Sequence, residues 1–99
     1  GRPSLCDLAR ITSDRAARRY GLFPRKGCLM PGSDADIVVF DPEEVWCVHA
    51  GGLRMNVDFS PYENMKLTGR TWLTISRGEI VFSEDRFLGK KGRGVFLRR

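Results

Sequence analysis

The chain has 99 residues and a formal net charge of +5, from 17 Lys and Arg against 12 Asp and Glu. A chain this short forms one domain at most and buries only about 60–65% of the surface it exposes when unfolded, which excludes a large self-contained core. Its 41% hydrophobic and 29% charged content exclude a disordered polymer; no apolar run approaches the roughly 18 residues of a membrane span, and no leader is expected.

Ser4 followed by Asp7 forms a short capping box, and Leu5, Leu8 and Ile11 recur at helical spacing, so a helix is predicted over residues 4 to 12. Thr12 or Ser13 is expected to cap a second helical turn through Asp14–Arg19, acid first and bases last as the helix dipole favours, with Gly21 as the stop. Pro24, Gly27, Pro31 and Gly32 then punctuate a turn-rich connector.

Ile37-Val38-Val39-Phe40 is continuous and rich in β-branched residues, which predicts a strand buried on both faces. Pro42-Glu43-Glu44 is expected to turn the chain into a partner strand at Val45–His49. Gly51-Gly52, Ser60-Pro61 and Thr68-Gly69 predict a long excursion over residues 50 to 70. Trp72–Ser76 and Glu79–Ser83 flank Arg77-Gly78, a hairpin signal in which Gly supplies a positive φ.

The net charge is concentrated at the end of the chain. Lys90, Lys91, Arg93, Arg98 and Arg99 follow Phe87 with no acid among them, while the preceding 86 residues hold equal numbers of acids and bases. Val95, Phe96 and Leu97 lie within this basic stretch, the pattern of a tail that docks on its own domain or on another subunit. The neutral body is expected to offer no basic groove that would extend the tail, so nucleic acid is not expected as a partner.

Few residues carry the pattern of a catalytic site. His49 stands alone, without a His-x-His pair or a Cys-x-x-Cys, as expected of a surface or edge histidine. Asp34 and Asp36 share one face of an extended segment, yet they fit better as turn residues bonding local backbone amides than as metal or acid–base groups. No serine lies in a Gly-x-Ser-x-Gly elbow, and Gly27 to Gly32 lacks the Gly-Lys-Ser of a phosphate cradle. Cys6, Cys28 and Cys47 are odd in number and widely spaced; they are expected as reduced, buried side chains of a cytoplasmic protein.

Gly21-Leu22-Phe23-Pro24-Arg25-Lys26-Gly27, then Gly32–Pro42, then Asn56-Val57-Asp58-Phe59-Ser60-Pro61-Tyr62-Glu63 and Gly92-Arg93-Gly94 form a specific series. It resembles the closing region of cyclic amidohydrolases of the dihydropyrimidinase and hydantoinase family, in the bacterial hydantoinase form. Phe23 and Phe59 stand where Tyr is common, Asn64 where Gly is common, and Asp14-Arg15 where Asn-Pro is frequent. The Tyr-to-Phe exchanges remove any hydrogen bond a hydroxyl makes at those positions in relatives.

The resemblance implies an α+β, mainly β fold: short amino-terminal helices, a small β-sheet forming part of the amidohydrolase carboxy-terminal β-sandwich, and an extended basic tail. Residues 1–20 become a helical segment at the edge of a (β/α)8 barrel, 21–86 a partial β-sandwich domain and 87–99 the tail. The implied parent is a cytoplasmic homo-oligomer that opens cyclic amide bonds with a binuclear, zinc-type centre and a carboxylated lysine, whose ligands lie in the barrel upstream. This segment is expected to carry no catalytic, metal-binding or substrate-binding residue and no cofactor; its partners are the barrel and a neighbouring subunit, with no membrane. Arg93, Val95, Phe96 and Leu97 are the expected subunit contact. Two alternatives stay open: a segment of a non-catalytic relative acting as a scaffold, or a small module that binds an anionic partner through its tail.

Overall fold

The computed structural model describes residues 1–99. Ser4 opens the first helix as expected: its hydroxyl accepts from the Asp7 amide at 3.1 Å while the Asp7 carboxylate accepts from the Ser4 amide, also at 3.1 Å. Helix α1 (Leu5–Ala9) runs without a break through one π-helical turn, Arg10–Asp14, into α2 (Arg15–Arg19). The expected interruption and second cap are absent. Asp14 keeps helical dihedrals and makes no side-chain cap, and the wider turn of the π segment absorbs the register change instead. Gly21 ends the helix at φ 71°, a left-handed conformation that a side chain would strain.

Four antiparallel strands follow in simple meander order: β1 (Ile37–Cys47), β2 (Lys66–Ser76), β3 (Glu79–Ser83) and β4 (Arg86–Phe87). The α+β, mainly β class therefore stands. Residues 37 to 40 and 45 to 47 do not pair with each other, contrary to expectation; both pair with β2, Val39 opposite Leu73 and Trp46 opposite Leu67. Pro42 makes a bulge rather than a turn. The Asp41 carboxylate accepts from the Glu43 and Glu44 amides at 2.9 and 3.3 Å, which supports the unpaired segment while the strand continues in the same direction.

The hairpin of β2 and β3 turns at Arg77 (φ 47°) and Gly78 (φ 80°), two positive values as a type I′ connection requires. A second tight turn at Glu84-Asp85 produces β4, which the sequence did not reveal because neither residue is glycine. The excursion between β1 and β2 is shorter than expected and holds one 3-10 turn, Ala50–Gly52. Thr68-Gly69 is not part of it: both lie in β2, where the Phe40 ring lies over Gly69, and a Cβ there would come within 2.6 Å of Phe40 Cζ.

Only Ala17, Val48 and Ser60 are buried, and no side chain is fully so. Side chains alternate across a sheet, so Val38, Phe40 and Leu67 share one face, Val39, Val45 and Ile80 the other, and Trp72 sits at the bulge of β2. All seven are exposed, Val38 to 60% and Trp72 to 52%. The expectation that Ile37–Phe40 is buried on both faces fails here because no helix of the chain packs on the sheet. Cys6 and Cys47 are exposed and Cys28 half-buried, contrary to the expected burial, since none of them faces a second layer.

Candidate functional site

The best-connected region lies where the β2–β3 turn meets the connector and the tail. Lys26 Nζ reaches the Asp34 carboxylate at 2.9 Å and also pairs with Asp36, while Arg25 Nε donates to Asp34 at 3.1 Å. Asp36 in turn accepts from the Arg77 backbone amide at 2.8 Å, and the Gly78 amide donates to the Ala35 carbonyl at 3.0 Å. The two aspartates thus tie the connector to the hairpin through ion pairs and a distant amide, rather than bonding local amides as expected.

The titration of these groups follows from the contacts. Hydrogen bonding to Asp36 pushes the Lys26 ammonium up from its ordinary value, against its partial burial. The Asp34 carboxyl is held low chiefly by its bond to Lys26. Burial raises Asp36, but the bonds from Lys26 and the Arg77 amide outweigh it and leave the carboxyl low.

Arg93 fastens the tail onto the same hairpin. Its guanidinium donates to Glu79 at 2.8 Å, to Ser76 Oγ at 2.9 Å and to the Ser76 carbonyl, and its side chain is only 18% exposed. In return the Arg77 guanidinium donates to the Arg93 carbonyl, and upstream the Leu88 amide donates to the Val81 carbonyl at 2.8 Å. The expected tail residues therefore separate: Arg93 binds its own sheet, Leu97 is half-buried, and Val95 and Phe96 stand 63% and 87% exposed. At the far end of the tail Arg99 lies beside Gly21, close to the end of α2.

Together these segments enclose a cleft of about 390 Å³. Arg25, Lys26, Arg77, Lys90 and Arg93 line it with no acidic residue among the lining, and Val81, Phe87, Val95 and Leu97 supply its apolar walls. The expectation that the body has no basic surface to extend the tail is corrected here. The body is neutral only by count, and folding brings Arg25, Lys26 and Arg77 against the tail from positions far apart in sequence.

A second arginine organises the middle of the sheet. Arg70 pairs with Glu44 at 3.0 Å and Asp85 at 2.6 Å, and its guanidinium lies 5.3 Å from the centre of the Trp46 ring. Hydrogen bonding to Glu44 drives its pKa up. Trp46 Nε1 donates to the Gly69 carbonyl at 2.9 Å, which fixes the ring beneath it.

His49 lies at the end of β1, exposed, with Nδ1 3.1 Å from Glu63. The Glu63 carboxylate also accepts from the Ala50 amide at 2.7 Å, and that bond leads in holding its carboxyl below the ordinary value. No three His, Cys, Asp or Glu side chains converge in the chain. The candidates raised by the sequence are engaged elsewhere: His49 with Glu63, and Asp34 and Asp36 with Lys26. These residues do not fit the binuclear metal centre implied by the sequence resemblance. No helix is long and apolar enough to cross a membrane.

The meandering sheet with its uncovered apolar faces and strapped tail is matched over its whole length within longer chains. The particular relatives are hydantoinases and dihydropyrimidinases, whose carboxy-terminal region this chain matches. It is 46% identical over all 99 residues to D-phenylhydantoinase from Escherichia coli O1:K1, covering 22% of that protein. A D-hydantoinase crystal structure superposes with a TM-score of 0.92 at 42% identity, covering 100% of this chain and 22% of the other. L-Hydantoinase (dihydropyrimidinase) from Arthrobacter aurescens superposes at 0.91 with 35% identity over the same shares. No family model matches the chain. The chain thus spans about a fifth of the length of the relatives it matches.

Proposed function

We propose that the protein containing this segment is a cytoplasmic, metal-dependent cyclic amidohydrolase that hydrolyses a ring amide C–N bond in hydantoins, dihydropyrimidines or related cyclic ureides. The carrying observation is the 46% identity to D-phenylhydantoinase over the whole chain. Metal-activated hydroxide attacks the ring carbonyl in that chemistry. Since no three donor side chains of this segment converge, the metal ligands come from the remaining part of the protein. The three free thiols support a reducing compartment.

Within that protein, residues 1–20 form a helical segment at the barrel edge, residues 21–86 part of a β-sandwich and 87–99 the tail. The open sheet faces support this division: Val38 and Phe40 on one side and Val39 and Ile80 on the other need covering layers. Phe96 supplies an apolar contact to a neighbouring subunit, and Arg93 holds the tail in place for it. Segments of this design serve both D- and L-hydantoinases, so the segment acts in fold and assembly, and stereochemical choice belongs to the rest of the protein.

The test is hydrolysis of hydantoin and dihydrouracil by the full-length protein with and without divalent metal, alongside the 99-residue chain. Metal-dependent turnover by the full-length protein, with none by the chain alone, is expected. A full-length protein that holds metal but hydrolyses no cyclic ureide is a scaffold relative instead; turnover by the chain alone overturns the assignment of the chemistry elsewhere. Light scattering of a Phe96→Asp variant reads the assembly role, with a smaller oligomer expected.

A further inference from the structure

The cleft at the tail has features that fold stability does not require. Its five lining cations face only three carboxylates: Asp34 takes Arg25 and Lys26, Asp36 takes Lys26, and Glu79 takes Arg93. Arg77 and Lys90 have no carboxylate partner. Both nevertheless lie close enough to Glu79 to help Arg93 hold its carboxyl below the ordinary value, Arg93 contributing first by hydrogen bond and charge. Two unneutralised cations therefore share one corner of the cleft.

These cations differ in how far they are fixed. The Arg77 guanidinium is held by the Arg93 carbonyl, which leaves its other donors free and already oriented. Lys90 is exposed, and the flanking Gly89 and Gly92 leave it room to follow a ligand. Val81, Phe87, Val95 and Leu97 give the cleft an apolar lining. At about 390 Å³ the space falls in the range of small-molecule sites, which combine mostly apolar walls with a few oriented polar groups. Phe96 lies outside this lining and is 87% exposed, so a neighbouring subunit that takes Phe96 does not need to fill the cleft.

We propose that this cleft binds a small organic anion, a carboxylate carried on an apolar body, with Arg77 and Lys90 neutralising the carboxylate and the Val81, Phe87, Val95 and Leu97 wall covering the hydrocarbon. The arginine can present two parallel N–H groups to a carboxylate, and the lysine adds a mobile point charge. Inorganic phosphate lacks the apolar body and binds more weakly. A neutral amide of the same shape loses the charge and also binds more weakly.

Calorimetric titration of the full-length protein with phenylacetate, phenylacetamide and phosphate tests this, together with the Lys90→Glu and Lys91→Glu variants. Lys91 carries the same charge one residue on but does not line the cleft. Phenylacetate should bind the unaltered protein and the Lys91→Glu variant alike, and bind Lys90→Glu at least about tenfold more weakly. Equal loss in both variants reduces the effect to general tail charge and overturns the proposal. So does unchanged binding in Lys90→Glu, binding of phenylacetamide as tight as that of phenylacetate, or phosphate binding as tight as phenylacetate. The inference does not depend on the hydrolase reading: Lys90-dependent binding in a protein that hydrolyses no cyclic ureide sustains the cleft and rejects only that reading.

Discussion

Arg93 and Arg70 both clamp an outlying segment onto β2, but by different means. Arg93 brings the tail to the end of the strand and reaches a carboxylate, a hydroxyl and a main-chain carbonyl, with its side chain 18% exposed. Arg70 joins the β1 bulge to the β3–β4 turn through two carboxylates and stacks near Trp46, with 31% exposure. A clamp that ends on backbone keeps its acceptor in every protonation state. A clamp made only of carboxylates relies on charges that water and salt weaken. The two ends of the sheet therefore differ in what holds them, although both use arginine.

The largest way to break the comparison is Gly69→Ala. Gly69 has φ 101°, and a Cβ there meets Phe40 Cζ at 2.6 Å, so the change strains the backbone by about 1–3 kcal/mol and pushes the ring aside. Its carbonyl also holds Trp46 in place beneath Arg70. Thermal unfolding of the full-length protein should move to lower temperature, with hydrogen exchange rising in β1 and the middle of β2 while the tail keeps its protection. A tail that loses protection equally would show that the two clamps act as one cooperative unit.

Little of this contrast is legible in the sequence, where Arg70 carries no signal and Arg93 reads as a subunit contact, although several local features of the fold are. The capping box at Ser4 and the Arg77-Gly78 turn are local signals, in which the residues that decide the structure are neighbours, and both were foreseen. Pro42 and Gly69 were misjudged because each looks like a chain breaker. The Asp41 carboxylate turned the first into a bulge, and the Phe40 ring accommodated the second within a strand. The basic cleft was invisible because Arg25, Lys26 and Arg77 are scattered along a body that is neutral by count. Burial of the Ile37–Phe40 strand was inferred from its composition, which records that the strand wants cover but not where the covering layer comes from.

A smaller effect is expected from truncating the clamps themselves. Arg93→Ala removes three hydrogen bonds from a charged donor at the surface, where water takes over the freed partners, so the net loss is expected to stay below that of Gly69→Ala. Hydrogen exchange of residues 88 to 97 should accelerate about tenfold or more, with the β2–β3 turn less affected. Arg70→Ala should accelerate exchange at the β3–β4 turn by a smaller factor, and added salt should narrow its difference from the parent. Equal acceleration by the two variants, or an Arg93 effect abolished by salt, would remove the distinction between backbone and carboxylate anchoring.

The smallest effect concerns pH, and it isolates one bond of the stronger clamp. Hydrogen bonding and charge from Arg93 hold the Glu79 carboxyl below its ordinary value of 4.5. A carboxyl depressed by folding contributes stability that is fully present above its unfolded pKa and is lost as pH falls through the folded one. Tail protection should therefore stay level from neutral pH down to the ordinary glutamate range and decline only below it. The decline should stop short of complete release, because Ser76 still accepts from Arg93 through its hydroxyl and carbonyl. Glu79→Gln should flatten the acid limb while leaving most of the neutral-pH protection. If the tail is instead released completely in mild acid, the Ser76 contacts do not hold it, and the clamp is an ion pair of the same kind as Arg70.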